Sequence, residues 1–384
     1  MGMFLRTVMK KLRQGMFDPP KTFIWPPTVY YLPRNYRGQP YNLPLIELET
    51  RGCSWNIENG GCTMCNYGGQ GRDLPSEILV AQASFALSIV RGSPYIHLVP
   101  IGSFYDEREV PEDARRKITE LVRDSGFVEY MGTESRAGFV TEEKITKTVD
   151  ILGNIQFEVG VGLESSDDII RELIINKGEN KASFLRFYRI CREKGVVSAT
   201  HVLLKPPFLT ESEAIDDAVK SIRWSIDNGS DYVILMVMNL RKGYTLTNWL
   251  YERGKYKLPM LWSLIKALLD LGEEYSKKVV IGGLISSETM AISAKNCEKC
   301  TDRILSLLSM YQYTWDPDYL EEAWEYPCDC KERWKELMEM RDVDLPDRIL
   351  RYYEEIALEL FGRDWWNENK GWIEREVYEF ERVG

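Results

Sequence analysis

The sequence predicts an α/β fold, a partial (β/α)6 barrel followed by a helical, metal-binding C-terminal extension. Three observations lead there. Short runs rich in Val, Ile and Tyr alternate with segments of helical spacing from residue 45 onward. The runs are almost continuously apolar, as strands covered on both faces of a parallel sheet must be. The rhythm stops near residue 285, and the remaining residues read as helices around a group of cysteines. A doubly wound open sheet is the alternative for the same pattern.

The expected strands, in order, are 45–49 (LIELE), 95–101 (YIHLVPI), 127–131 (FVEYM), 155–163 (IQFEVGVGL), 196–204 (VVSATHVLL) and 232–238 (YVILMVM). A seventh short run, 279–284, closes or edges the sheet. The intervening helices are expected at 75–91, 111–124, 141–152, 167–194, 211–228 and 256–276. Cap signals such as Pro111-Glu112-Asp113 and Thr210-Glu211-Ser212-Glu213 mark several starts. Beyond the barrel, helices are expected at 301–311, 317–325, 331–340, 346–361 and 370–382. They carry Trp315, Trp324, Trp334, Trp365, Trp366 and Trp372, a density that fits packing. The domain plan is therefore 1–44, a basic N-terminal extension; 45–285, the barrel; and 286–384, the helical region.

Composition bounds the function. With 44% hydrophobic and 28% charged residues among 384, disordered and low-complexity chains are excluded. The longest apolar run, Tyr232 to Met238, is far short of the roughly 20 residues that cross a bilayer. No secretory pattern opens the chain, and Arg6 stands where myristoylation wants Ser or Thr. A cytoplasmic protein with no membrane partner is expected. The net charge of -10 is uneven: residues 316–384 hold 21 acidic and 10 basic side chains, while residues 1–44 hold seven basic ones against Asp18. The acidity thus argues against a polyanionic partner only for the tail. Arg34 and Arg37, beside Tyr30, Tyr31 and Tyr36, are a candidate RNA-facing patch, or else merely wrap the barrel.

Eight cysteines fall as Cys53, Cys62 and Cys65, then Cys191 alone, then Cys297, Cys300, Cys328 and Cys330. In a reducing compartment such tight spacings mean metal. The first three come after the first strand in a glycine-rich loop (Gly52, Gly60, Gly61, Gly68, Gly69, Gly71), at the end of the sheet where such folds put their chemistry. Three thiolates suit an iron–sulfur cluster with one iron free of protein ligands. Closed zinc sites want a fourth ligand, and the only histidines, His97 and His201, lie on distant strands. The four later cysteines fit tetrahedral zinc tying two helical segments together, with a second iron–sulfur cluster as the alternative. Cys191 reads as a buried thiol. The two histidines read as satisfied core residues, with contact to the active site as the other possibility.

The trio resembles that of the radical S-adenosylmethionine superfamily, whose members hold a [4Fe–4S] cluster on three cysteines after the first strand and bind S-adenosylmethionine (SAM) at the open iron. The usual spacing is three and two; here it is eight and two, with Met64 where an aromatic commonly precedes the last cysteine. Longer first spacings occur in the elongator-like branch. Within it, the pieces RGCSWNIENGGCTMCNYGG, GSFYDEREVP, ESR, EVGVGLESSDD, INKG and LLKPPFLTE, spanning residues 51–211, are similar to the family of radical-SAM subunits of archaeosine synthase.

The likeness implies a 5′-deoxyadenosyl radical that abstracts hydrogen from its substrate. It implies a substrate too: a 7-deazaguanine at tRNA position 15 carrying lysine, whose C–N bond is cleaved to leave archaeosine. It implies tRNA, a transglycosylase-like lysine-transferring subunit and an electron donor as partners. The expected cofactor contacts are Met64 and Tyr67 in the cysteine loop and Gly102, Ser103, Glu134, Ser135, Arg136, Glu164, Ser165 and Lys205 at successive strand ends. Lys205 either neutralises the cofactor carboxylate or pairs with a structural acid. The run Gly160-Val161-Gly162 lacks the third glycine of a dinucleotide fingerprint and comes late in the chain, which argues against nicotinamide binding. Two other readings remain: a radical enzyme acting on another tRNA base, a small metabolite or a peptide, and a zinc-binding scaffold without catalysis.

Overall fold

The computed structural model describes residues 2–14, 27–68, 73–243, 245–284 and 290–383. Gly69, Gly71 and Asp18 lie outside the described residues, as does the expected boundary after residue 285. Helix α1 (Met3–Leu12) and a hairpin of β1 (Thr28–Tyr36) and β2 (Gln39–Leu48) open the chain, and α2 (Ser54–Asn59) lies in the next loop. A strict alternation comes next: α3 (Ser76–Ile89), β3 (Tyr95–Pro100), α4 (Glu112–Asp124), β4 (Tyr130–Ser135), α5 (Glu142–Leu152), β5 (Gln156–Glu164). It continues through α6 (Lys181–Lys194), β6 (Val197–Leu204), α7 (Glu211–Asp227) and β7 (Tyr232–Val237). After these come β8 (Leu240–Arg241), α8 (Leu246–Glu252), α9 (Leu261–Leu271), α10 (Glu273–Ser276), β9 (Val279–Gly282) and β10 (Met290–Ile292). Five helices end the chain: α11 (Thr301–Thr314), α12 (Pro317–Glu325), α13 (Cys330–Glu339), α14 (Leu345–Leu360) and α15 (Arg363–Val383).

The main sheet has eight strands in the order β1-β2-β3-β4-β5-β6-β7-β9. Every pairing is parallel except β1 with β2. Sequential parallel strands joined by helices wind with one hand, and the sheet curls into a nearly closed barrel. Its two edges meet through α11. The Gln312 side-chain oxygen accepts from the Ile281 N–H (2.9 Å) on β9, and the Asn35 amide of β1 donates to the Tyr313 carbonyl (2.7 Å). Local rules fix the helices: Thr210 and Glu213 form a capping box on α7, and Thr141 and Asn180 each cap a helix by accepting a backbone N–H.

The strands present two unlike faces. Outward residues such as Ile96, Leu98, Val159, Val161 and Leu163 are buried with Ile118, Phe184 and Phe187 of the covering helices. Inward residues include Glu47, His97, Glu134, Glu158 and His201, so this barrel interior is polar. Glu158 forms its floor. It accepts from His97 Nε2 (2.7 Å) and from the hydroxyls of Tyr130 (2.8 Å), Tyr232 (2.5 Å) and Tyr95 (3.3 Å). Burial opposes its charge, yet His97 and the hydroxyls hold it below the usual carboxylate range.

Several elements differ from expectation. Strand β4 sits later than 127–131 because its inner face, ending in Glu134, is polar and breaks the apolar run. The helix expected over 167–194 is cut into a π-turn at Ile170–Ile174 and α6, because Asn176 and Gly178 take left-handed backbone. Gly272, at φ 73°, splits the helix expected over 256–276. Residues before 45 do not stand apart: β1 and most of β2 belong to the sheet. Arg34 of the candidate RNA-facing patch is buried, and Arg37 pairs with Glu129 at 2.7 Å. No helix among the described residues is long and apolar enough to cross a membrane.

Candidate functional site

A cavity of about 310 Å³ opens at the carboxyl ends of the barrel strands, and Cys53, Cys62 and Cys65 all line it. The loop that carries them is built from outside. The Cys53 N–H donates to the Tyr67 carbonyl (2.9 Å) and the Cys65 N–H to the Cys62 carbonyl (3.2 Å). Thr63 bonds the carbonyls of Ile174 and Ile175, at 2.9 Å each, through its hydroxyl and its N–H. Trp55 donates its indole N–H to the Asn176 carbonyl (2.8 Å), and Asn176 returns a bond to the Gly61 carbonyl (2.8 Å). The break in the 167–194 helix thus supplies the cradle for the cysteine loop.

Burial pushes the Cys53 and Cys62 thiols up to about 11, while Arg136 beside Cys53 and Lys177 beside Cys62 pull the other way. As free thiols they stay protonated, and metal binding deprotonates them. No set of ligand atoms in this loop closes around a single ion. Among the described residues, only Cys297, Cys300, Cys328 and Cys330 have ligand atoms all within 4.8 Å of one another.

Of the expected cofactor contacts, Met64, Tyr67, Gly102, Ser103, Glu134, Ser135, Arg136 and Glu164 line the cavity. Ser165 and Lys205 do not. The Ser165 hydroxyl donates to Asp217 (2.6 Å), behind the sheet, and the Lys205 ammonium pairs with buried Glu211, which also takes the Ser263 hydroxyl. For Lys205 the structural pairing holds, because Glu211 buried alone would be costly.

Position 102 needs glycine: a Cβ there would lie 1.7 Å from Glu109 Oε2, and φ is 142°. Glu109 braces both loops by accepting from the N–H groups of Ser54 (2.7 Å) and Ser103. A register shift between Gly162 and Glu164 ends β5, and Glu164 sits at φ 69°. That turn sets Glu164 Oε1 3.1 Å from Lys177 Nζ on the cavity wall. Gly162 leaves the space, for a Cβ there would come 2.4 Å from Glu164 and 2.6 Å from Lys177.

Sequence reasoning missed Lys177 as a site residue, although it lies in the INKG segment. The signal was the glycine after a lysine inside an otherwise helical stretch. Deeper in the cavity, His201 Nε2 lies 3.4 Å from Glu134 Oε1, while His97 faces the floor. Both histidines line the cavity.

The second cysteine group lies at the starts of α11 and α13. Its sulfurs are 3.7 Å (Cys297–Cys300), 3.4 Å (Cys297–Cys328) and 3.6 Å (Cys300–Cys330) apart. Trp262 donates its indole N–H to the Cys330 sulfur (3.3 Å), and the Lys331 ammonium sits 3.8 Å from the Trp324 ring centroid. Cys191 is a buried thiol in the helix layer.

No family model matches the chain. Curated relatives do. Archaeosine synthase subunit beta of Methanosarcina acetivorans is 31% identical over 312 residues, covering 79% of this chain and 87% of that protein. Archaeosine synthase subunit beta of Thermococcus kodakarensis is 29% identical over 311 residues, covering 79% and 94%. Among solved structures, methylornithine synthase aligns over 93% of this chain and 88% of its own at 14% identity and a TM-score of 0.43. HydG, a maturase of the [FeFe]-hydrogenase, aligns over 100% and 86% at 12% identity and a TM-score of 0.39. On the strength of the relatives that match it across most of both lengths, the chain belongs to the archaeosine synthase subunit beta family.

Proposed function

We propose that this chain is a radical SAM enzyme of tRNA modification, which cleaves the C–N bond of a lysine-bearing 7-deazaguanine at tRNA position 15 to leave archaeosine. The observation that carries the reading is that three cysteines from one loop line the polar mouth of a barrel cavity. That donor set fits a [4Fe–4S] cluster with one iron open. When bound, cluster and SAM supply a carbon-centred radical able to take hydrogen from an unactivated carbon.

The chain's own residues bind, orient and exclude water. Cys53, Cys62 and Cys65 would hold the cluster. The Glu164–Lys177 pair offers an acceptor and a donor to the ammonium and carboxylate of SAM, and Gly102 and Ser103 let polar groups approach the backbone. Glu134 and Ser135 would offer polar contacts to the cofactor's ribose hydroxyls, and Met64, Tyr67 and Arg136 complete the cavity wall. His201, held beside Glu134, is placed to move a proton at the substrate end of the cavity. The tyrosine floor around Glu158 keeps water from entering below.

Cys297, Cys300, Cys328 and Cys330 are assigned to zinc. Bonds of about 2.3 Å to one tetrahedral ion set sulfur–sulfur edges of about 3.8 Å, and the Cys297–Cys300, Cys297–Cys328 and Cys300–Cys330 separations lie just under that. tRNA, a lysine-transferring partner subunit and an electron donor complete the cytoplasmic system; the name "subunit beta" of the relatives supports a partner.

Incubating the reconstituted protein anaerobically with reductant, SAM and lysine-modified tRNA tests the reading. Mass spectrometry of the nucleosides should show archaeosine replacing its precursor. Unchanged tRNA alongside active SAM cleavage would redirect the assignment to another substrate.

A further inference from the structure

The N-terminal helix ends in a buried cation that no carboxylate among the described residues balances. Arg13, just past α1, is 2% exposed. Its Nη2 donates to the carbonyls of Cys62 (3.3 Å) and Cys65, whereas Nε and Nη1 have no hydrogen-bond partner among the described residues. Two further cations facing the cysteines are balanced: Arg136 faces Glu179 at 3.6 Å and Lys177 faces Glu164 at 3.1 Å. An unpaired buried charge is strongly unfavourable, and native proteins rarely keep one without a counter-charge. The chain also clears space for the group. A Cβ on Gly61 would lie 2.7 Å from Arg13 Nη1.

We propose that Arg13 is a positioning residue whose fixed charge is the counter-ion of an iron–sulfur cluster on Cys53, Cys62 and Cys65, and that it raises the cluster's reduction potential. This rests on the cluster reading given above. Reduction adds one electron, taken from a low-potential donor that is oxidised by one electron, and no proton or bond changes hands. The added negative charge sits in a dry site beside the guanidinium, so the reduced state gains more from Arg13 than the oxidised state does. A merely structural arginine, tying α1 to the loop through the two carbonyls, would leave the potential where it was.

The test is an anaerobic potentiometric titration of the full-length reconstituted protein with dithionite, read by electron paramagnetic resonance of the reduced cluster. Arg13→Gln should shift the reduction equilibrium at least tenfold toward the oxidised cluster, a fall of 59 mV or more for one electron. Arg13→Lys, which keeps the charge, should stay within about threefold of the wild type, a bound set by Coulombic distance dependence. An unchanged potential in the glutamine variant overturns the proposal, and so does an equal fall in both variants. Denaturation of the iron-free proteins supplies a second measurement. Without iron the glutamine variant should be at least as stable as the wild type, because its uncompensated charge is gone. A less stable or unfolded iron-free variant shows that Arg13 props the fold and overturns the proposal too. A wild-type protein with no reduced-cluster signal fails differently, since it defeats the cluster reading itself.

Discussion

The two cysteine groups are made of the same ligand atom and are built for different tasks. Cys53, Cys62 and Cys65 hang on a loop between a barrel mouth and a broken helix, spread around a cavity and attended by Arg13, Arg136 and Lys177. Cys297, Cys300, Cys328 and Cys330 are drawn within 4.8 Å of one another at two helix starts, over an apolar and tryptophan-rich layer. Four sulfurs gathered this closely fit the proposed closed ion, whose task would be to hold helices together. Sulfurs that share a cavity without closing leave room for a larger group and for a ligand upon it. Ligand spacing in space, more than ligand identity, separates structure from reaction.

Substitutions can break this contrast. Cys62→Ala should abolish SAM cleavage, read as 5′-deoxyadenosine formed anaerobically, while zinc content stays at the wild-type level. Residual cleavage near the wild-type rate would mean the trio is not the reactive site. Cys330→Ser should do the reverse, releasing the C-terminal metal and lowering unfolding stability by ~3 kcal/mol or more. It would also loosen α11, the helix that bridges the barrel edges. Metal analysis and chemical denaturation read this, and a variant that keeps its zinc would refute the closed-ion geometry.

Smaller effects sharpen the contrast. Gly162→Ala forces a methyl against the Glu164–Lys177 pair, so it should cost about 1–3 kcal/mol of overpacking and weaken SAM binding in calorimetry with zinc unaffected. If binding were intact, that pair would not face the cofactor. A further test lies away from both cysteine groups. Burial pushes the Asp217 carboxyl up to about 7, so the folded state holds a proton that the unfolded chain releases near 3.8. The stability linked to this group is full below that lower value and is lost as pH rises to about 7, after which it stays flat. Asp217→Asn should remove that decline, stabilising the protein at pH 8 by roughly 2–4 kcal/mol and changing little at pH 4. Denaturation at the two pH values reads it, and equal changes at both would refute the linkage.

Much of the fold was legible because its determinants are local. The outward faces of β3, β5, β6 and β7 had to be apolar to bury helices, and capping residues placed most helix starts within a residue or two. Strand β1 escaped notice because its burial depends on tertiary partners, chiefly β2 and α11, and not on local hydrophobicity. Lys205 and Lys177 show the same limit at the site. Each is a lysine at the reactive end of the chain trace, but only the packing of Glu211 against one and Glu164 against the other says which reaches the cavity.

The sequence by itself determined the strand–helix order, the two cysteine groups and the residue types at the strand ends, since periodicity, capping and ligand spacing are properties of neighbours along the chain. Only the tertiary structure decided that the barrel interior is polar, that the four sulfurs of one cysteine group gather within 4.8 Å while the other group spreads around a cavity, and which cations are balanced. Those outcomes depend on distances between groups separated along the chain, by 74 residues for Glu158 and Tyr232, where desolvation and Coulomb energy are settled by three-dimensional proximity alone.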